Sequence, residues 1–346
     1  MNQTSSTVPS VPDSIWLARF AQFVCWATLF LIFAGALVTS TGSGLSVPDW
    51  PLSYGQFFPP MVAGVFYEHG HRLIAGMLLL MTLTLAIWLG LREQRRWVRL
   101  LGYCALGTVL AQAALGGITV LFYLPKPVSI GHAVLGQTFL ILTIVIAYSQ
   151  SRACRRRTTD NAAQPAGQDR HLFKAAMAVA LLIYLQLIAG ALLRHTYSGL
   201  AIHDFPYATG RIVPAFDQQM LTETNDWRRR MALEHDMGWL RVRKLEHDFT
   251  LTQMAIHFTH RVGAVLVSLA MFAFVWLIFC ARRGNSQLRK LVLLHDGLLI
   301  VQWTLAAYTI WSLKDPQLTS GHVVVGAALL GVATLICLQS YQRETS

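Results

Sequence analysis

The sequence predicts an all-α integral membrane protein whose eight transmembrane helices form two four-helix bundles related by a pseudo-twofold axis. Three observations lead to this fold class. Hydrophobic residues make up 54% of the 346-residue chain and charged residues only 13%, against about 25% charged in an ordinary soluble domain. Eight apolar stretches are long enough to cross a bilayer as helices. Motifs of the first half of the chain recur in the same order in the second half.

A transmembrane helix needs roughly 17–25 mostly apolar residues, because the hydrocarbon layer is about 30 Å thick. Without water to satisfy their backbone groups, such stretches form helices, and the alternation typical of strands is missing. The first stretch lacks a basic leader and is too long for a signal-peptide core, so we expect it to be retained. The predicted spans cover residues 16–39, 65–90, 98–122, 128–149, 172–193, 254–281, 288–312 and 320–340.

The basic residues predict the orientation of the chain. Of the 28 Lys and Arg residues, 15 lie in the segments 92–99, 151–174 and 282–290 and at Arg343, all on one face of the predicted bundle. Short basic loops remain in the cytoplasm, so we expect both termini there and the protein in the cell membrane. The net charge of +11 then reflects topology. Nucleic-acid binding is a poor interpretation, because the basic residues are divided among short turns.

An internal repeat relates the two halves of the chain. The offset between matching motifs rises from 155 to 189 residues, which places an insertion of 34 residues before the sixth span. Because each half has four spans, both halves enter the membrane in the same direction, and the axis that relates them follows the membrane normal. The matching motifs are Gly35-Ala36-Leu37 with Gly190-Ala191-Leu192, Ser43-Gly44-Leu45 with Ser198-Gly199-Leu200, Asp49 with Asp204, Pro51 with Pro206, His71-Arg72 with His260-Arg261, and Gly131-His132 with Gly321-His322.

The repeat predicts how the chain is divided. We expect an N-terminal half over residues 1–150, a cytoplasmic linker over 151–174 and a C-terminal half over 175–346. A long outer loop at about 195–253 contains the insertion. Within this loop, residues 224–249 fit an amphipathic surface helix or a plain solvated loop about equally well.

Four of the twelve histidines lie at the outer ends of the even-numbered spans: His71, His132, His260 and His322. In each half, two of them are separated by one helix down, a turn and one helix back, so two imidazoles can face each other inside a four-helix bundle. Polar residues inside spans are costly and mark functional sites. Two facing imidazoles in apolar surroundings favour a haem iron over zinc or copper. The alternative is a set of interfacial histidines bonded to water or a neighbouring helix.

Three more residues are candidates beside these histidines. Arg72 and Arg261 each follow a histidine and could pair with a haem propionate, or could simply extend to the interface as helix-end arginines do. Glu68 precedes His71 by three residues on the same helical face, whereas its counterpart in the repeat is His257. This difference suggests that only one half does chemistry, with Glu68 moving protons, unless Glu68 is merely hydrated at the helix end.

The other histidines lack a partner pattern, and we expect them to be structural or solvent-facing. They are His69, His171, His195, His203, His235, His247 and His295.

These residues together resemble the haem A synthase family, whose members convert haem O to haem A for cytochrome oxidase. The resemblance covers nearly the whole chain. It rests on Gly42-Ser43-Gly44-Leu45, Pro48-Asp49-Trp50-Pro51, Gly55-Gln56, Glu68-His69-Gly70-His71-Arg72, Gly131-His132, His260-Arg261 and Gly321-His322.

The resemblance implies a role for each half. The N-terminal half would receive haem O between His71 and His132, with Glu68 as a further catalytic residue in the oxidation of a ring methyl group to a formyl group. The C-terminal half would hold a permanent haem b between His260 and His322. The implied partners are haem O synthase (a farnesyltransferase), cytochrome oxidase assembly factors and an unidentified electron donor.

The chain departs from the family in two places. Some members carry a cysteine pair in the first outer loop, where this chain has Val47 and Ser53, so a thiol role proposed for those members cannot apply here. The insertion before the sixth span is the second departure and could form a lid over the C-terminal site.

Two other functions use the same features. A quinol-linked electron-transfer cytochrome would hold two haem b groups and modify neither of them. A transporter with parallel repeats would fit the duplication, but the histidines lie near the outer surface and not at the midplane.

Overall fold

The chain forms a bundle of long helices in the computed structural model, which describes residues 15–151, 154, 170–234, 247–280 and 286–341. A short 3-10 turn, Ser198–Leu200, follows α5, and no strand occurs in these ranges. The nine α-helices of the described residues are α1 (Ile15–Ser40), α2 (Ala63–Arg92), α3 (Arg96–Leu121), α4 (Lys126–Ser149), α5 (Arg170–His195), α6 (Gln218–Glu234), α7 (Leu251–Phe279), α8 (Ser286–Trp311) and α9 (Pro316–Ser340).

Every one of these helices except α6 is long and apolar enough to cross a membrane. Each of the eight begins and ends within four residues of a predicted span. The prediction of an all-α, multi-pass membrane protein is therefore confirmed. Helix α6 is a polar helix of 17 residues and lies within the insertion.

Local sequence signals set where two of the helices begin. The hydroxyl of Thr250 accepts a hydrogen bond from the Gln253 amide at 3.3 Å, and the Gln253 side chain accepts one from the Thr250 amide at 3.0 Å. This reciprocal capping box starts α7. Helix α9 begins at Pro316, where a missing amide proton has no cost. The carboxylate of Asp315 accepts from the next two free amides.

Helices α1, α4, α5 and α9 form the interface between the two halves. The contact of α1 with α9 has its counterpart in the contact of α5 with α4, as a twofold axis through this interface requires. Helix α9 is the central one, since 56% of its apolar window is buried, against 17–28% for the other spans. These contacts support the predicted division into two halves. The linker that would separate them lies mostly outside the described residues, so the division stays a prediction.

A buried carboxylate joins the ends of three helices on the side of the α2–α3 turn. Glu93 accepts hydrogen bonds from Arg95 at 2.7 Å and from the Gln150 side chain at 2.8 Å. Arg95 also donates to the carbonyl of Ser149 at the end of α4. Burial opposes ionisation of Glu93, but the bonds from Arg95 and Gln150 outweigh it and lower the pKa of Glu93 to about 2.

We expect Glu93→Gln to destabilise the fold by about 1–3 kcal/mol, because it removes charged hydrogen bonds from a buried site. The folded-state pKa is lower than the ordinary value of 4.5, so this stabilisation is complete above that value and disappears as pH falls towards 2. Thermal melts of the detergent-solubilised protein should therefore show a gap between wild type and variant that narrows below pH 4.5. Exposed Gln94→Ala is the control. Equal melting temperatures at neutral pH would contradict the expectation.

Candidate functional site

Each half brings two of the predicted histidines together. His71 and His132 are close enough for their rings to interact electrostatically, and so are His260 and His322. All four are half-buried. The Nδ1 atoms of His71, His132 and His322 are buried and have no hydrogen-bond partner among the described residues. Since buried polar atoms are nearly always bonded, each of these three rings has an atom free to bond a group that the chain itself does not supply.

Glycines on neighbouring helices lie against the histidine rings. A Cβ atom at Gly35 on α1 would be 3.0 Å from Cε1 of His71, and one at its counterpart Gly190 on α5 would be 3.2 Å from Cε1 of His260. Both distances are shorter than a normal contact between carbon atoms, about 3.5–4.0 Å. A larger residue at either position would push the ring aside, so these glycines fix the space in which the rings sit.

Glutamines contact the histidines from the neighbouring helices. The Gln112 amide on α3 donates to the carbonyl of His132 at 2.9 Å. Its counterpart Gln302 on α8 lies 3.4 Å from Nε2 of His322. These two glutamines mark the register of the repeat, and the structure places both beside the histidine pairs.

Gln186 on α5 contacts His260 twice and was not found from the sequence. Its side-chain amide donates to the His260 carbonyl at 2.8 Å and lies 3.1 Å from Nδ1 of the ring. The equivalent position in the N-terminal half is Leu31. A comparison of motifs shared by the two halves could not reveal it, because it is not shared.

Arg72 anchors the first outer loop to the helix that carries His71. Its terminal nitrogens donate to the carbonyls of Val47, Asp49 and Leu52 at 2.7–3.2 Å. With a further bond to Glu68 at 2.6 Å, every hydrogen of the two terminal nitrogens is used. The predicted pairing with a haem propionate stays a prediction, whereas the structure shows a loop-anchoring role.

Arg261 repeats this arrangement in the C-terminal half. It donates to the carbonyls of Ile202, Asp204 and Tyr207 at 2.7–3.1 Å, which are the loop positions 155 residues after those bound by Arg72. The guanidinium also lies 5.7 Å from the ring of Phe205. Both histidine-bearing helices therefore hold the preceding outer loop in the same way.

The anchored loops contain a matching tight turn. The carboxylate of Asp49 accepts from the amides of Tyr54 and Gly55 at 2.7 and 2.8 Å, and Asp204 accepts from Thr209 and Gly210 at the same distances. The bond from Gly55 is the main reason that the pKa of Asp49 is lowered. Both glycines have positive φ angles, 70° and 72°, which glycine adopts without strain.

The two halves differ in the acceptor that faces the anchoring arginine. Glu68 is 4% exposed, and its two oxygens accept from Arg72 and from the amide of Val47 at 2.8 Å. At the equivalent place, His257 faces a loop amide with Nδ1 and Arg261 with Nε2, each at 3.2 Å. A carboxylate accepts at both oxygens, but a neutral imidazole accepts at one nitrogen only. At this position the N-terminal half therefore has a carboxyl group with two acceptor atoms, where the C-terminal half has an imidazole.

A second polar pair exists only in the N-terminal half. Ser53 and His69 are buried, and the Ser53 hydroxyl lies 2.7 Å from Nδ1 of His69. The corresponding residues of the C-terminal half are Ala208 and Phe258. His69 is therefore not solvent-facing, but its Nε2 atom is buried without a hydrogen-bond partner among the described residues, so its structural role stays a prediction. Ser53 also stands at one of the two positions where some family members have a cysteine.

The insertion forms helix α6, which packs on the outer loop of the C-terminal half. Asn225 exchanges hydrogen bonds with the backbone of Phe249 at 2.7 and 3.2 Å, and Arg228 is paired with Asp248. The helix begins six residues before the predicted amphipathic segment. The rest of that segment up to residue 246 lies outside the described residues, so the proposed lid stays a prediction.

Fold and site together define a class: all-α, multi-pass membrane proteins with a duplicated pair of neighbouring histidines and arginine-anchored outer loops. The chain belongs to the cytochrome oxidase assembly protein family (COX15-CtaA), whose model matches residues 18–334. Over 332 residues it is 24% identical to the heme A synthase of Bacillus licheniformis, covering 92% of this chain and 94% of that protein. It is 26% identical to the heme A synthase of Shewanella oneidensis over 348 residues, covering 94% and 96% of the two chains. The predicted family is confirmed.

We expect Arg72→Lys to loosen the first outer loop, because a lysine ammonium cannot bind three carbonyls in a planar arrangement. Loss of one charged hydrogen bond should make local opening about tenfold more frequent. Limited digestion with chymotrypsin would measure this, since exposed Phe57 and Phe58 lie in the loop. Arg92→Lys, on an exposed arginine at the other end of α2, is the control. Unchanged cleavage rates in both variants would show that the bonds to the loop carbonyls do not hold it.

Proposed function

We propose that this protein is a haem A synthase, an oxidoreductase that oxidises a methyl group of haem O to a formyl group and so supplies haem A for cytochrome oxidase. The observation that carries the proposal is the duplicated pair of neighbouring histidines. It occurs in a chain that matches heme A synthases over more than nine-tenths of its length.

The residues of both pairs fit a haem group. Imidazole is a common axial ligand of haem iron, and the unpartnered Nδ1 atoms show that these rings are not fully bonded within the protein. A structural zinc site usually has four protein ligands. No three His, Cys, Asp or Glu side chains converge anywhere in the described part of the chain. Two imidazoles per site therefore favour haem over zinc, with His71 and His132 holding one group and His260 and His322 the other.

We assign the reaction to the N-terminal half and a permanent haem b to the C-terminal half. Bound haem supplies the redox chemistry at its iron. Written with water as the oxygen source, the change is R–CH₃ + H₂O → R–CHO + 4 H⁺ + 4 e⁻, so protons must leave the site. Glu68 is the acidic residue three positions from His71, and only this half has it. Arg72 and the Val47 amide hold its carboxylate in place, one helical turn from His71, where it would accept protons released by the substrate.

The C-terminal half is suited to hold a haem without changing it. Here Gln186 bonds both the carbonyl and the ring of His260, which fixes the orientation of the imidazole more firmly than in the other half. His257 takes the place of the carboxylate. A rigid ligand without a neighbouring acid favours an electron-transfer site over a site of proton-coupled chemistry.

The membrane context and the partners follow from this function. We place the protein in the cell membrane with both termini in the cytoplasm and the histidine pairs towards the outer face, as the basic segments indicate. Haem O would come from haem O synthase, the farnesyltransferase, and haem A would pass to cytochrome oxidase assembly factors. An electron donor is needed, and the lipid bilayer surrounds the eight spans.

Expression in a membrane host that makes haem O, followed by purification and mass analysis of the extracted haems, tests the function. Haem b together with haem A or its hydroxylated precursor is the expected result. Glu68→Gln should lower haem A formation at least tenfold, because it removes the proton acceptor, while haem b content remains normal. Haem b alone at two per chain would instead identify a quinol-linked electron-transfer cytochrome. Normal haem A formation by the variant would disprove the role of Glu68.

Gly35→Val should block the N-terminal site selectively. Its side chain would overlap the His71 ring, since even a Cβ atom would lie 3.0 Å from it. We expect the purified variant to keep the C-terminal haem and to lose most of the N-terminal haem. Gly107→Val is the matched control, because a Cβ at Gly107 on α3 meets no atom within 4 Å. Equal haem content in both variants would place the N-terminal haem elsewhere.

A further inference from the structure

The turn between α2 and α3 carries positive charge that the protein does not neutralise. The single acidic residue of this segment, Glu93, is buried, and both of its oxygens accept hydrogen bonds from Arg95. Its charge is therefore used within the protein. The side chains of three other arginines have no hydrogen-bond or ion-pair partner among the described residues. These three are Arg92, Arg96 and Arg99.

Arg92 and Arg99 lie at the same level on neighbouring helices. A Cβ at Gly102 of α3 would be 3.0 Å from Cδ1 of Leu89 on α2, so these two positions are in contact. Arg99 and Arg92 each follow three residues further towards the turn, about 4.5 Å along the helix axis. Two positive charges at one level of adjacent helices repel each other. An anion bound to both would remove this repulsion.

Tyr103 adds a hydroxyl group to the same place. The spacings from Arg96 to Arg99 and from Arg99 to Tyr103 are three and four residues, so all three share one face of α3. The Tyr103 hydroxyl lies against α2, because a Cβ at Gly90 would be 2.7 Å from it. Tyr103 is 53% exposed, and its hydroxyl has no hydrogen-bond partner in the described part of the chain. It is therefore free to donate to a ligand.

The equivalent place in the C-terminal half is built differently. Arg289 corresponds to Arg99, and Phe279 stands in the position of Gly90. The Arg289 guanidinium lies 5.9 Å from the centre of the Phe279 ring, a contact that stabilises the cation within the protein. Leu293 replaces Tyr103 and has no hydroxyl to offer. Only the N-terminal half therefore combines an unpartnered arginine with a free hydroxyl at this level.

The unpartnered arginines border on the lipid-facing surface of the bundle. Leu91 and Leu100 are 78% and 61% exposed and lie on two membrane-spanning helices. Trp97, also exposed, is a residue type enriched where the membrane meets water. A molecule that contacts these arginines can therefore contact hydrocarbon and the exposed leucines as well. This continuity favours a lipid over a soluble anion.

The α2–α3 site is the set of four residues Arg92, Arg96, Arg99 and Tyr103. We propose that the α2–α3 site binds the head group of an anionic phospholipid, with the acyl chains against Leu91 and Leu100. Guanidinium groups pair with phosphate oxygens, and the tyrosine hydroxyl donates to the same head group. A zwitterionic lipid would bring its own cation next to the arginines and bind less tightly. The site lies at the opposite ends of the helices from the histidine pairs, so it does not depend on the proposed function.

Native mass spectrometry of the purified, detergent-solubilised protein tests the proposal, because it resolves each bound lipid. The protein is titrated with phosphatidylglycerol and, separately, with phosphatidylcholine that has the same acyl chains. We expect the first phosphatidylglycerol to bind about tenfold more tightly or better, since each basic residue near a lipid surface contributes about 1 kcal/mol. Arg99→Gln should weaken this binding about fivefold. The double variant Arg92→Gln with Arg99→Gln should bind both lipids about equally.

Tyr103→Phe removes only the hydroxyl and keeps the ring, so it tests the site even if an arginine variant folds poorly. It should weaken phosphatidylglycerol binding about threefold, the effect of one lost hydrogen bond. Lys290→Gln is the matched control, because it removes one exposed charge near the start of α8, the counterpart of α3. This variant should keep the preference of the wild type.

Three results would overturn the proposal. Equal affinity of the wild type for the two lipids would show that the head group is not recognised. A wild-type preference in the double variant would place the lipid elsewhere, and an equal loss in Lys290→Gln would show that net charge alone is responsible. Inorganic phosphate at the same concentration as the lipid should not displace it. Displacement would assign the site to a soluble anion and reject the lipid.

Discussion

The arrangement of both sites depends on how the backbone of the outer loops is satisfied where they meet the membrane. A loop at the mouth of a helical bundle presents carbonyl groups that must find partners, because buried unpaired backbone groups are costly. One arginine per half supplies these partners. A guanidinium has five donors in a planar arrangement, so Arg72 and Arg261 can each bind three carbonyls of one loop. Since each arginine directly follows a histidine of the pair, the same contacts fix the loop relative to the site.

On this shared scaffold, the differences between the halves indicate how their chemistry diverged. The N-terminal half has two buried polar features that the other lacks: the carboxylate of Glu68 and the pair formed by Ser53 and His69. The C-terminal half has Gln186 on the ring of its histidine, and a histidine and an aspartate inside α8. A carboxylate one helical turn from His71 in one half, and a glutamine on the ring of His260 in the other, are the differences on which the proposed division of roles rests.

The sequence predicted the helices and the histidine pairs because both depend on local or repeated patterns. Hydropathy over about 20 residues is enough to place a span, and the duplication makes four scattered histidines recognisable as two pairs. The sequence could not predict contacts between distant residues that the repeat does not relate. Gln186 bonds His260 across 74 residues of sequence, and Glu93 reaches Gln150 across 57. Both depend on the packing of helices, which no motif encodes.

Arg72 and Arg261 show that the sequence can identify a residue of the site without determining its role. Pairing with a propionate and anchoring a loop both require a guanidinium beside the histidine, so the sequence favours neither. The choice depends on loop length: the carbonyls of residues 47, 49 and 52 lie within reach of Arg72 only because the chain turns back at Asp49, whose carboxylate binds the amides of Tyr54 and Gly55. That turn is repeated at Asp204. The family motif around Asp49 and Gly55 therefore forms the turn that places the outer loop within hydrogen-bonding distance of Arg72.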